Sequence, residues 1–174
     1  MHKQEIADLL EENYHNLLVW LENHDDGNWT HGPENEWTTG QQALYLLKNI
    51  IPLNDALSMP RFLLKYVYGT ANRPVRDNDS IVNQLQELLQ SKEYQPTIRR
   101  QKLNRPKFKD KTYLMTRLQV ESKKLQYKTR RISDKNLDTL LLPHPELGKI
   151  PIREILICNA IKVKHHTKLL QEKY

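Results

Sequence analysis

Residues 143–174, PHPELGKIPIREILICNAIKVKHHTKLLQEKY, contain the pattern that decides the fold. The proline-rich beginning is typical of a tight loop, and the remainder has the period of a long helix. At about 100° of rotation per residue, one stripe of this helix collects the apolar side chains, namely Ile152, Ile155, Leu156, Val163 and Leu170. The sequence therefore predicts a final helix that packs through this stripe.

Polar side chains share the apolar stripe of the final helix. Asn159 and His166 fall on it, and Lys162 lies at its edge, one turn before His166. His165 points away from the stripe and is expected to face solvent. Ionisable groups are rare on a face that only packs a core, so Asn159, Lys162 and His166 form a candidate site. The alternative is that His166 is a hydrogen-bonded core histidine and that Lys162 extends to the rim.

The rest of the chain predicts further helices. Apolar residues repeat at helical spacing in the long segments 3–23, 41–57, 80–91 and 110–131, and in a short segment 61–68 that ends at Gly69. Thr38 or Thr39 can cap the second long helix, in which Pro52 should introduce a kink. Residues 24–37 are rich in turn formers, and no alternating strand pattern is present. These elements predict an all-α fold, an antiparallel four-helix bundle with short extra helices.

Composition bounds the class of protein. The 174 residues, with 38% hydrophobic and 28% charged side chains, suit a single globular domain over 1–174. The single cysteine, Cys158, excludes an internal disulfide and a cysteine-based zinc site, and it is interpreted as a small helix-packing residue. No signal-like layout and no membrane-length apolar run is found, which favours a cytoplasmic protein without a membrane partner.

Basic residues concentrate in one part of the chain. Residues 92–135 contain fifteen Lys and Arg against four Asp and Glu, in a chain whose formal net charge is +6. Such asymmetry could mark a surface for nucleic acid or another polyanion. Few aromatic residues are interleaved for base stacking, and the basic residues are divided between a loop and a helix. A solvated basic face is therefore favoured over nucleic-acid binding.

Three phrases of the sequence are similar to a known family. They are WTTGQQALYLLKNIIPLNDAL at 37–57, KYVYGTANRPVR at 65–76, and the stretch PHPELGK to KLL within 143–170. Together they resemble the DinB/YfiT-like superfamily, in particular its small bacterial, Bacteroidetes-type proteins. The resemblance implies an up-down-down-up four-helix bundle that is often dimeric, and so a homodimer here.

The resemblance also implies a position for a metal site. In that family three histidines typically hold Ni or Zn, and these positions correspond to Tyr45, Lys162 and His166 in this chain. Only His166 is retained, and one imidazole beside an ammonium group is a poor metal donor set. No metal cofactor is therefore expected. The Lys162 ammonium could instead hydrogen-bond the Tyr45 hydroxyl and attract a small anionic ligand.

These observations favour a non-catalytic bundle that binds a small ligand or a partner protein. One alternative is a transferase or hydrolase of the family's type, which depends either on a metal or on Lys162 as base or nucleophile. A second alternative is polyanion binding through residues 92–135. His144, which lies between two prolines, is interpreted as a turn residue, although it or Asn159 could complete a site.

Overall fold

A computed structural model describes residues 1–34, 36–91 and 103–174. These residues are mostly helical, with 73% of them in helices and one small sheet. Most of the loop predicted between residues 92 and 109 lies outside the described residues. Within the described ranges, no helix combines the length and apolar character needed to cross a membrane.

The elements follow one another as a series of helices interrupted by one hairpin. In chain order they are α1 (Lys3–Asn23), α2 (Gly27–Thr30), α3 (Thr39–Ser58), α4 (Arg61–Tyr68), α5 (Asn78–Gln90), a 3-10 turn (Phe108–Asp110), α6 (Lys111–Arg131), α7 (Asp134–Thr139), β1 (Leu141–His144), β2 (Gly148–Pro151) and α8 (Ile152–Lys173). The all-α class predicted from periodicity is confirmed, and the predicted bounds of the helices differ from the observed ones by at most two residues.

Capping residues explain where the helices begin and end. The Thr38 hydroxyl accepts a hydrogen bond from the Gln41 amide at 3.1 Å, and the Gln41 side chain accepts one from the Thr38 amide at 3.0 Å. This capping box satisfies two backbone donors at the start of α3, which then continues through Pro52. Gly69 ends α4 with a φ of 87°, a conformation that glycine adopts without strain.

The largest difference from the predicted elements is the hairpin that precedes α8. Strands β1 and β2 pair antiparallel, with His144 opposite Gly148, where a loop was expected. Prolines within and beside these strands hide the alternating pattern. Both strands of a two-stranded sheet are edge strands, so they tolerate proline where the backbone N–H would point away from the partner strand. The short helix α2 also forms where turns were expected, and α7 forms in a segment for which no element was predicted.

Helix α8 lies at the centre of the molecule. All of its residues from 152 to 160 are buried, because α1 packs on one side of it and α5, α7 and the hairpin pack on others. Helix α6 packs against both α1 and α3. A small gap therefore remains where α3, the hairpin and α8 come together.

A buried ion cluster fixes the first turn of α8. Glu154 is fully buried and accepts hydrogen bonds from the Arg73 guanidinium at 2.9 and 3.1 Å and from the Arg76 guanidinium at 2.6 and 3.0 Å. Burial by itself raises the pKa of this carboxyl, but the bonds from Arg73 and Arg76 outweigh it and lower the pKa to about 2. The NRPVR phrase therefore attaches the segment before α5 to α8.

Candidate functional site

A cavity of about 340 Å³ lies between α3, the hairpin and α8. One wall is apolar and comes mainly from α3 and β1, whereas α8 and the end of β1 supply polar groups. The lining residues are Lys48, Asn49, Pro52, Leu53, Ala56, Tyr68, Leu142, Pro143, His144, Pro145, Ile155, Cys158, Asn159 and Lys162. Concave sites of this size, with few polar groups on an apolar wall, are typical of small-ligand sites.

Lys162 brings a charge to this cavity. Its side chain belongs to the third turn of α8, and the residue is only 6% exposed. Among the described residues, its ammonium has no hydrogen-bond or ion-pair partner. Its Nζ is not one of the fully buried unpaired atoms of the described residues, so the ammonium is accessible from the cavity. The cavity is therefore electrostatically suited to an anion.

Asn159 lies one turn before Lys162 on the same wall. Its Oδ1 accepts a hydrogen bond from the buried Tyr14 hydroxyl at 3.0 Å. This contact, made by α1, orients the amide and leaves Nδ2 as the group that can donate toward a ligand. Burial raises the pKa of Tyr14, so its hydroxyl stays protonated and keeps donating.

His144 presents a second neutral donor from the end of β1. Its Nδ1 accepts hydrogen bonds from the backbone amides of Glu146 at 3.3 Å and Leu147 at 3.2 Å. The hydrogen of the neutral ring is therefore on Nε2, which is buried and unpaired among the described residues. Burial, the Lys162 charge and the Arg76 charge lower the pKa of His144 to about 4.

Cys158 also lines the cavity, but as a thiol. Burial raises its pKa to about 12, although the Lys162 and Arg76 charges act in the opposite direction. At neutral pH a thiol of this pKa supplies almost no thiolate, the form that acts as a nucleophile or metal ligand. The side chain contributes packing and shape to the wall.

Tyr45 and His166 lie together, apart from the residues that line the cavity. Their ring centroids are 5.1 Å apart, and Nδ1 of His166 lies 2.7 Å from Oε1 of Gln42. Burial, with smaller effects from His165 and Lys162, lowers the pKa of His166 to about 3. The structure thus places Asn159 and Lys162 at the cavity, and it places Tyr45 and His166 within the packed core beside it.

One statement from the sequence needs correction. His165, expected to face solvent, is half-buried and lies edge-on against His166. His144, interpreted as a turn residue, bonds the turn and also lines the cavity. Its place between two prolines indicates the turn, but no signal in the sequence shows that β1 approaches α8. Within the described chain, no group of three His, Cys, Asp or Glu side chains is placed to hold a metal ion.

Comparisons with known proteins give no relative for this chain. No family model matches it, and no match is found among curated proteins or among solved structures. The geometry of the cavity is therefore the basis on which its function is argued.

Proposed function

We propose that this protein is a DinB/YfiT-like four-helix bundle that binds a small organic anion in the cavity between α3, the hairpin and α8, without metal-dependent catalysis. One observation carries the proposal, namely the ammonium of Lys162 at the cavity wall, on a residue only 6% exposed, which has no partner among the described residues. An anion in the cavity would pair with that charge.

The residues of the cavity support binding better than catalysis. A nucleophilic mechanism needs an activated group, and the Cys158 thiol has a pKa of about 12 because it is buried. The His144 ring uses Nδ1 to fix the hairpin turn and keeps a hydrogen on Nε2, so it offers a donor and no free base. A lysine-dependent or metal-dependent transferase or hydrolase remains the alternative, and retention of activity in a Lys162→Ala variant would exclude the lysine route.

Polyanion binding has less support from the described part of the basic segment. Several of its cations already contact groups of this chain: Lys111 pairs with Asp26, Arg117 and Lys124 pair with Glu121, Arg130 pairs with Asp8 and Glu11, and Lys128 bonds Ser58 and the Asn54 carbonyl. A cation that is already paired contributes less free energy when it binds a phosphate group. Retention on heparin that falls steeply with salt would favour this alternative.

The proposal also includes a cytoplasmic location, and the resemblance adds a homodimer to it. The dimer is tested by sedimentation of the untagged protein over a range of concentrations. A monomer at all concentrations would remove this part of the proposal and would leave the cavity unaffected, because every cavity residue named above belongs to one chain.

The proposed function is tested by the effect of anions on thermal unfolding. Acetate, benzoate, phosphate and sulfate are added to the untagged full-length protein at constant ionic strength. A ligand that binds only the native state raises the melting temperature, so at least one organic anion is expected to do so. The increase should disappear in Lys162→Met and persist in Lys164→Met, a matched control at an exposed position of the same helix. No increase with any anion at millimolar concentration would contradict the proposal.

A further inference from the structure

The hydrogen-bonding groups at the polar wall of the cavity restrict which chemical groups can bind there. Three of the lining side chains carry donors that no described residue accepts: the Lys162 ammonium, Nδ2 of Asn159 and the buried Nε2–H of His144. The acceptor atoms of Asn159 and His144 are already used, by the Tyr14 hydroxyl and by the two turn amides. A group that accepts several hydrogen bonds therefore suits this wall better than one that donates them.

The number of available charges limits the charge of the ligand. Lys162 is the buried cation of the wall, whereas Lys48 lies exposed at the margin of the cavity. The Arg76 charge, which is close enough to lower the pKa of His144, is already bound to Glu154. A single negative charge is balanced by this arrangement. A second charge, as on a phosphate dianion, could pair only with the exposed Lys48, where water and salt screen the attraction.

The apolar part of the lining indicates the rest of the ligand. It consists mainly of Pro52, Leu53 and Ala56 of α3, with Leu142 of β1 and Ile155 of α8. This surface has few polar groups, so an apolar body gains free energy when it leaves water. The volume of about 340 Å³ lies at the lower end of the range for small-molecule sites.

We infer that the cavity binds a small monocarboxylate with a compact apolar body, whose carboxylate accepts hydrogen bonds from Lys162, His144 and Asn159. This inference rests on the proposed function. The body of the ligand lies against α3, and Tyr14 acts as a positioning residue because it orients the Asn159 amide. A carboxylate matches the wall since its two oxygens accept from several donors and carry one charge between them.

The experiment compares probes that differ in one feature at a time. Phenylacetate, benzylphosphonate, phenylacetamide and acetate are titrated calorimetrically into the full-length protein in a Tris chloride buffer at pH 7.5. Phenylacetate is expected to bind at least about tenfold more tightly than each of the others. Benzylphosphonate carries additional negative charge, and acetate lacks the apolar body. Phenylacetamide is uncharged, and its NH2 group would meet the donors of the wall instead of acceptors.

Two variants test whether the ligand binds at this wall. Lys162→Met should weaken phenylacetate binding by more than about tenfold, and the exposed control Lys164→Met should leave it within about twofold. His144→Asn keeps an oxygen that can accept from the turn amides but removes Nε2–H, and it should weaken binding by about tenfold. Thermal melts of each variant without ligand establish that it is folded.

The outcomes separate the inference from the proposed function. Benzylphosphonate that binds as tightly as phenylacetate, and is lost in Lys162→Met, would overturn the carboxylate inference and leave an anion-binding protein. Unchanged phenylacetate affinity in His144→Asn would also overturn the inference. No binding of any probe, or binding that Lys162→Met does not alter, would overturn both.

Discussion

At the scale of single residues, Lys162 represents a conflict between stability and function. A largely buried residue that carries an unpaired ammonium costs free energy in the unliganded protein, because the charge loses part of its hydration. Proteins keep such unfavourable groups where they act on a ligand. The conflict can be measured because the two properties should change in opposite directions when the charge is removed.

The first prediction is therefore that Lys162→Met stabilises the unliganded protein by about 1 kcal/mol while it removes anion binding, because the methionine side chain fills similar space without a charge. Urea unfolding monitored by circular dichroism measures the stability. Lys164→Met, at an exposed position, should change it by less than about 0.5 kcal/mol. A loss of stability on removal of Lys162 would mean that its ammonium has a stabilising role in the wall.

The second prediction concerns the pH dependence of stability that His144 causes. Its pKa is about 4 in the folded protein, because of burial and the charges of Lys162 and Arg76, and about 6.5 when unfolded. Between these values the unfolded chain binds the extra proton, so the stability from neutral His144 is complete above pH 6.5 and declines as the pH falls toward 4. The Glu146 carboxylate, 3.3 Å from Nδ1, is the acidic group that faces this ring.

Comparison with His144→Asn isolates this contribution from other titrating groups, among them His166, whose pKa is about 3 because it is buried. The difference in unfolding free energy between the natural protein and the variant should shrink by about 3 kcal/mol between pH 7 and pH 4. Urea unfolding at half-unit intervals of pH measures it. A difference that does not vary with pH would show that His144 is not buried in its neutral form.

At the scale of elements, the sequence predicts the helices better than the site. Local signals set helix bounds, such as the capping box at Thr38 and the left-handed glycine at position 69, and both act over a few residues. The hairpin escaped prediction because its prolines conceal a strand whose stability comes from packing on α8. Helical periodicity placed Asn159 and Lys162 on one stripe, but it could not show that β1 brings His144 to meet them.

The third prediction tests the element contact that holds the hairpin end of α8. Glu154→Gln should destabilise the protein by about 3 kcal/mol, because Arg73 and Arg76 lose the buried carboxylate that both of them bond. The matched control is Asp134→Asn, which removes a partly exposed partner of Arg153 and should destabilise the protein much less. Equal effects of the two variants on urea unfolding would mean that the buried cluster does not anchor α8.

At the scale of the whole molecule, the proposed family and the proposed function lead to separate predictions. The family requires that Tyr45, Lys162 and His166 occupy the positions of three metal-binding histidines, whatever the present protein binds. The structure places Tyr45 in ring contact with His166, and Lys162 one helical turn from it. Nε2 of His166 is unpaired among the described residues and so is free to act as a ligand.

The last prediction follows from that geometry. The double variant Tyr45→His/Lys162→His should bind about one equivalent of Zn or Ni, since it replaces a phenol and an ammonium by neutral imidazoles next to a third. Elemental analysis and calorimetric titration of untagged protein measure the metal, and the natural protein should retain less than about a tenth of an equivalent. Adding His166→Gln to the double variant should abolish uptake, because two imidazoles hold these ions far more weakly than three. If the double variant takes up no metal, the three positions do not converge as the resemblance requires, and the anion site would then stand without the family assignment.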